Sequence, residues 1–213
     1  MLPKTIKSGL LCLLVLVLIV IPGNTPGRSV PAASVTITID PGHGGFDPGA
    51  VISGVSEKSV NLLIAKRVEE LGKRYPALDF VFTRLSDDYI SLPDRLEIAK
   101  QHGSDGYISI QANSFRDPNV TGVETILDWT RDRGSSSWIM AESIQQSVVE
   151  TTGARDRGIR QQRLYTRHSS LPAALIEVGF LTSPAEREKL TSPAYQDLVA
   201  KGIIQGLLTY FSG

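Results

Sequence analysis

A few positions in this 213-residue chain carry side chains that can do chemistry where packing does not call for them. His43 stands in "ITIDPGHGGFDPGA" (37–50), where a β-branched run ends in an aspartate and enters a loop of glycines and prolines. Glu57 opens "EKSVNLLIAKRVEELG", and its helical neighbours at +3, +4 and +7 are Val60, Asn61 and Ile64, the inward face. It could oppose the helix dipole, but a carboxylate aimed at the core also wants a cation. Gln111-Ala112-Asn113 ends the apolar "YISI" run, and Glu177 interrupts "AALIEVGF" (173–180). An ionised carboxylate inside an apolar strand costs several kcal/mol unless it is paired, which points Glu177 to a catalytic or metal-linked role. A histidine, a helix-borne glutamate and a buried strand glutamate suit a water-activating zinc site. "GHGG" lacks the glycine-lysine of a phosphate-binding loop.

The elements that would position these residues alternate along the chain. "VTITI" (35–39), "LDFVFTR" (78–84), "DGYISIQAN", "GVETILDW" (122–129) and "AALIEVGF" read as strands. Helices are expected over 56–75, 91–103 and 135–153, and two more close the chain. Caps mark their starts: Ser56, Ser91 with Asp94, and the Ser-Pro pairs 183–184 and 192–193. Strands separated by helices imply an α/β fold, a mainly parallel (mixed) sheet of about six strands with helices on both faces. In such sheets ligands bind beyond the carboxyl ends of the strands, where His43, Gln111 and Glu177 fall. Arginines 155, 157, 160, 163 and 167 read as a basic loop.

Residues 1–33 differ in kind. Two lysines precede an apolar run from Gly9 to Ile21, then Pro, Gly and small residues. At 1.5 Å per residue that run spans about 20 Å, short of a bilayer's hydrocarbon core. A signal peptide is expected, or a membrane anchor through residues 9–21 with its flanks drawn in, followed by a short linker. Residues 34–213 then form an exported domain, without the chain's single cysteine, Cys12. Basic and acidic residues balance at 22 each over the whole chain, so nothing in the composition argues for a nucleic-acid partner.

The segments "IDPGHGGFDPGA", "SEKSVNLLIAKRVEELG", "TRLSDDYISLPDRLEIAKQHGSDGYISIQANS", "GVET", "RGI" and "ALIEVGFLTSP" together resemble the zinc-dependent N-acetylmuramoyl-L-alanine amidases of bacterial cell walls. The layout is most similar to the single-domain amidase of spore-cortex maturation. The resemblance implies Zn2+ held by His43 and Glu57, with Glu177 assisting attack of water on the amide between N-acetylmuramic acid and L-alanine. The family's next zinc ligand is a histidine in "SIHAN"; this chain has Gln111, whose carbonyl oxygen is a poorer donor than imidazole nitrogen. Substrate-binding roles are expected for Asn113, Arg95 and Arg157, with peptidoglycan or its muropeptides as the substrate. Two consequences of Gln111 stay open: an enzyme whose metal is secured by His168 or by an activating protein partner, or a peptidoglycan-binding relative with impaired turnover. His168 reads first as a solvated loop residue and His102 as a group near a helix end.

Overall fold

A computed structural model describes residues 34–212; the expectations for 1–33 lie outside the described residues. The chain builds β1 (Val35–Pro41), a short hairpin of β2 (Val51–Ile52) and β3 (Val55–Ser56), α1 (Glu57–Gly72), β4 (Leu78–Phe82), α2 (Leu92–Gln101), β5 (Gly106–Asn113) and β6 (Val123–Asp128). There follow α3 (Ser136–Thr152), β7 (Asp156–Gln162), a 3-10 turn over Tyr165–His168, β8 (Ala173–Phe180), α4 (Pro184–Thr191) and α5 (Pro193–Ser212). The main sheet has six strands in the order β4-β1-β5-β8-β6-β7. All neighbours run parallel except β6 and β8, which are antiparallel. The expected α/β class with a mixed, mainly parallel sheet is what forms.

Side chains alternate across each strand, so sequence parity sorts them onto two unlike faces. Ile37, Ile39, Ile108, Ile110, Ala174, Ile176 and Val178 point to one side and join a single apolar core with Val60, Ile64 and Val68 of α1, Ile144 and Val148 of α3, and Ile203 and Leu207 of α5. The other parity, Thr38, Asp40, Tyr107, Ser109, Gln111 and Glu177, faces away from that layer. Among the described residues α2 is the one helix on this second face, packed through a small cluster of Ala99, Tyr107 and Ala173. Helices thus lie on both faces, α1, α3, α4 and α5 against α2, and the thinly covered side is where polar groups collect.

The capping residues act as their sequence context implies, with one exception. Ser91, Ser135 and Ser183 accept from the backbone N–H of Asp94, Trp138 and Glu186. Ser56 occupies the cap of α1, but its hydroxyl bonds Ser59 and makes no cap bond to the backbone. The stretch read as a basic loop is a correction: Asp156–Gln162 is strand β7, paired with β6 at the edge of the sheet.

Candidate active site

β1 ends at Pro41 and the chain turns sharply, leaving His43 at φ 61°, a left-handed conformation that is strained for a residue with a β-carbon. Its carbonyl accepts from Arg95 Nη2 at 2.8 Å, which helps hold the turn. Asp47 Oδ2 lies 2.8 Å from His43 Nδ1 and fixes the ring, leaving Nε2 to face Glu57 Oε2 at 3.3 Å. Glu57 is the first residue of α1 and is 8% exposed. Its Oε2 also accepts from Ala50 N at 3.0 Å and its Oε1 from Ala112 N at 3.3 Å. The hydrogen bond to Glu57 raises the His43 pKa to about 9, although burial opposes it. A β-carbon at Gly49 would stand 2.6 Å from Glu57 Oε2 and 2.7 Å from the imidazole, so only glycine lets the loop close over this pair.

Gln111 lies beside them. Its Nε2 donates to Ser109 Oγ at 3.1 Å and its Oε1 accepts from Asn61 Nδ2 at 3.2 Å. The amide packs on Gly42, where any β-carbon would fall 2.0 Å from Gln111 Nε2.

Three adjacent strands then place one row of polar side chains on the same face. Gln111 on β5 is in register with Glu177 on β8, and Glu177 with Glu124 on β6. A register shift between Gln111 and Asn113 ends the regular pairing there. Glu124 is fully engaged: Arg157 Nε donates at 2.7 Å, Arg160 Nε lies 3.1 Å away, and Asn113 Nδ2 donates at 3.1 Å. Glu177 is not. Its Oε2 is shielded from solvent and has no hydrogen-bond partner among the described residues. Burial first, then the charges of Glu57 and Glu124, push its carboxyl up to about 8, while His43 pulls the other way. Such a group exchanges protons near neutral pH.

The structure therefore brings His43, Glu57, Gln111 and Glu177 together and gives the other three expected residues different tasks. Arg95 is 3% exposed and its donors are committed to Asp40 at 2.6 Å and to the carbonyls of Ile90, Pro41 and His43. It braces the site from beneath and also lines the cavity that opens on His43. Arg157 is likewise taken up by Glu124 and the Thr121 carbonyl, and lies over the Phe180 ring. Asn113 is spent on Glu124 and on the Ser114 amide. His168 packs at a tilt against Tyr165 and lines a separate cavity with Pro93 and Leu171, away from His43. His102 caps α2 through its Nδ1 and the Ile98 carbonyl.

Sequence reasoning missed Asp47, Asp40, Arg84 and Glu124. Asp47, four residues after His43, was open to local reading. The other three depend on long-range partners: Asp40 accepts from Arg95, Thr83 Oγ1 and Ser109 Oγ, and Arg84 donates to the carbonyls of Pro41, Gly42 and Lys58.

As a metal site the donor set is incomplete. His43 Nε2 and Glu57 Oε2 converge as an imidazole and a carboxylate would around zinc, and the unpartnered Glu177 oxygen marks a place short of positive charge. Gln111 adds only a neutral amide oxygen, and among the described residues no group of three His, Cys, Asp or Glu side chains could hold an ion. The residues fit a metal bound by two strong donors and one weak one. A cavity of about 430 Å3 opens on His43 and Gln111, walled by Tyr107, Leu96, Leu164 and Leu175, with Tyr89 and Arg163 among its other lining residues.

A family model described as N-acetylmuramoyl-L-alanine amidase (Amidase_3) matches residues 37–209. The chain is 36% identical over 198 residues to the N-acetylmuramoyl-L-alanine amidase LytC of Bacillus subtilis (strain 168), covering 89% of this chain and 40% of LytC. It thus spans less than half the length of that relative. The crystal structure of an N-acetylmuramoyl-L-alanine amidase from Clostridium difficile 630 superposes with a TM-score of 0.80 at 38% identity, over 85% of this chain and 99% of the other. The CwlD amidase from Clostridioides difficile, solved in complex with the GerS lipoprotein, superposes with a TM-score of 0.76 at 26% identity, over 84% of this chain and 99% of CwlD.

Proposed function

The chain belongs to the N-acetylmuramoyl-L-alanine amidase family, and from that premise we propose that it hydrolyses the amide joining the lactyl group of N-acetylmuramic acid to L-alanine in peptidoglycan. The observation that carries the reading is Glu177. A carboxyl group with one oxygen shielded and unpartnered beside a converging histidine and glutamate is costly to the fold, and proton transfer explains why it is kept.

In the mechanism His43, oriented by Asp47, and Glu57 would hold Zn2+, with Gln111 Oε1 as the weak third donor. When bound, the ion would supply Lewis acidity at the scissile carbonyl. Glu177 moves the proton: its ionised form takes one from the attacking water, and its protonated form gives one to the leaving nitrogen of alanine. The same carboxyl thus serves both transfers, as base in the first and as acid in the second. The apolar cavity walls beside His43 exclude water from the amide and strengthen these interactions.

We extend the proposal to setting. The domain acts outside the cytoplasm, either released or tethered through residues 9–21; among the described residues no helix is long and apolar enough to cross a membrane. Spore-cortex maturation is the role we propose, on the resemblance of the motifs given above. The complex of CwlD with a lipoprotein supports an activating protein partner for this chain too, one that would compensate for the weak third donor. A peptidoglycan binder without turnover is not favoured, because binding alone does not require a shielded, unpartnered Glu177.

The test is to follow the new amino terminus of L-alanine released from a purified muropeptide, with zinc supplied. Wild type should release it, and Glu177→Gln should slow release by at least about a hundredfold with folding intact. Equal rates would end this reading.

A further inference from the structure

Two loops border the cavity mouth, and they are tied to each other more firmly than surface loops need to be. Gly45 N donates to Asp87 Oδ1 at 3.0 Å, and Lys58 Nζ bridges the Gly45 carbonyl and Asp87 Oδ2, both at 2.7 Å. The backbones are in direct contact: a β-carbon at Gly44 would fall 2.1 Å from the Asp88 carbonyl oxygen, and one at Gly45 would fall 2.8 Å from Tyr89 N. These ties hold an arrangement that core packing does not account for. Phe46, between them, is 80% exposed, the largest value among the exposed large hydrophobic residues. Its ring stacks on Tyr89 with centroids 4.1 Å apart and planes 28° apart. Tyr89 is itself 46% exposed and lines the cavity that reaches His43 and Gln111.

One face of the Phe46 ring is thus backed by an aromatic neighbour and the other is open to solvent, on a rigid mount. Asp87 and Asp88 are exposed on the loop that carries Tyr89; both Asp87 oxygens already accept a bond, and Asp88 Oδ1 keeps its lone pairs for a ligand. A flat ring with an open face beside carboxylates matches the two sides of a pyranose. Its axial C–H bonds lie against the negative face of the ring, and its hydroxyls donate to the acids. An exposed apolar residue held this way marks a recognition surface.

We propose that Phe46, backed by Tyr89, is a sugar-binding platform that takes the pyranose face of a peptidoglycan glycan strand next to the cavity. The choice of glycan rests on the amidase reading: the scissile amide hangs from a sugar through the lactyl group, so the glycan must pass the cavity rim. The platform would hold the strand while the stem peptide enters beside His43. It would therefore bind the strand whether or not the amide is cleaved.

The experiment uses glycan strands stripped of their stem peptides, which contain no scissile amide, and measures their affinity for the wild type, Phe46→Ala and Phe46→Trp. Phe46→Ala should weaken binding about tenfold, the scale of one aromatic contact. Phe46→Trp, with a larger ring, should bind at least as tightly as the wild type. Because Phe46 lies outside the core, both variants should keep the wild-type melting temperature. Failure of the wild type to bind the stripped strands, or equal binding by Phe46→Ala, would overturn the platform. Binding that follows the ring size while the protein cleaves no muropeptide would uphold the platform and remove only the amidase reading.

Discussion

Two clusters of buried charge sit on the same face of the sheet, and they are finished differently. Beneath the β1 turn Asp40 is 3% exposed, and its carboxylate receives Arg95, Thr83 and Ser109. Arg84 and Arg95 in turn satisfy the carbonyls that a tight turn leaves over. On β8, Glu177 is held among Glu57 and Glu124 with one oxygen unpartnered. A satisfied buried network rigidifies a scaffold, whereas an unsatisfied ionisable group raises the free energy of the fold and is available to react. The first cluster fixes where His43 points, and the second supplies the chemistry. Glu124 lies between these types: it is charged and paired, and it keeps a negative field on Glu177.

Substitutions should separate the two clusters. The largest effect is expected at the satisfied one. Arg95→Ala leaves Asp40 buried without its cation and should cost about 3–5 kcal/mol in denaturant unfolding. A smaller loss would mean that Asp40 reaches water or takes up a proton. At the reactive cluster Gln111→His supplies the imidazole that the resemblance calls for. It should tighten zinc at least tenfold in a competition titration with a chelator, the minimum expected from replacing a weak donor touching the metal. Unchanged affinity would show that the Gln111 oxygen already serves well or that the ion is held elsewhere. The smallest effect belongs to the rim. Arg160 is 58% exposed where it meets Glu124, against 16% for Arg157, so Arg160→Ala should cost less than about 1 kcal/mol and Arg157→Ala clearly more. Equal costs would remove the distinction between a buried brace and a solvated one.

What could be read from the sequence follows the range of the interactions. His43, Glu57 and Glu177 were legible because each breaks a local pattern: a histidine in a glycine loop, a carboxylate on an inward helix face, a carboxylate in an apolar strand. β8 was legible to the residue, Ala173–Phe180, because a buried strand reads as a continuous apolar run. β7 was not, because its sequence "DRGIRQQ" is polar and mostly exposed, and pairing with β6 alone makes it a strand. The bracing bonds of Arg95 and Arg157 were not legible for a related reason. Their carboxylate partners Asp40 and Glu124 lie 55 and 33 residues away, and no local feature marks an arginine as already occupied.

The central claim is that the fold holds Glu177 at a cost. It is tested most directly by the pH dependence of stability in the metal-free protein, wild type against Glu177→Gln. A carboxyl raised from 4.5 to about 8 in the folded state carries no penalty below pH 4.5, and a growing one as pH rises from there to about 8. His43, raised from 6.5 to about 9, likewise stabilises the fold below 6.5 and loses that contribution by about 9, but it does so in both proteins. The two proteins should therefore unfold alike near pH 4.5, and Glu177→Gln should become the more stable by a widening margin toward pH 8. Parallel curves, or a Glu177→Gln protein less stable at pH 8, would show that Glu177 is a paired structural carboxylate and would contradict the claim.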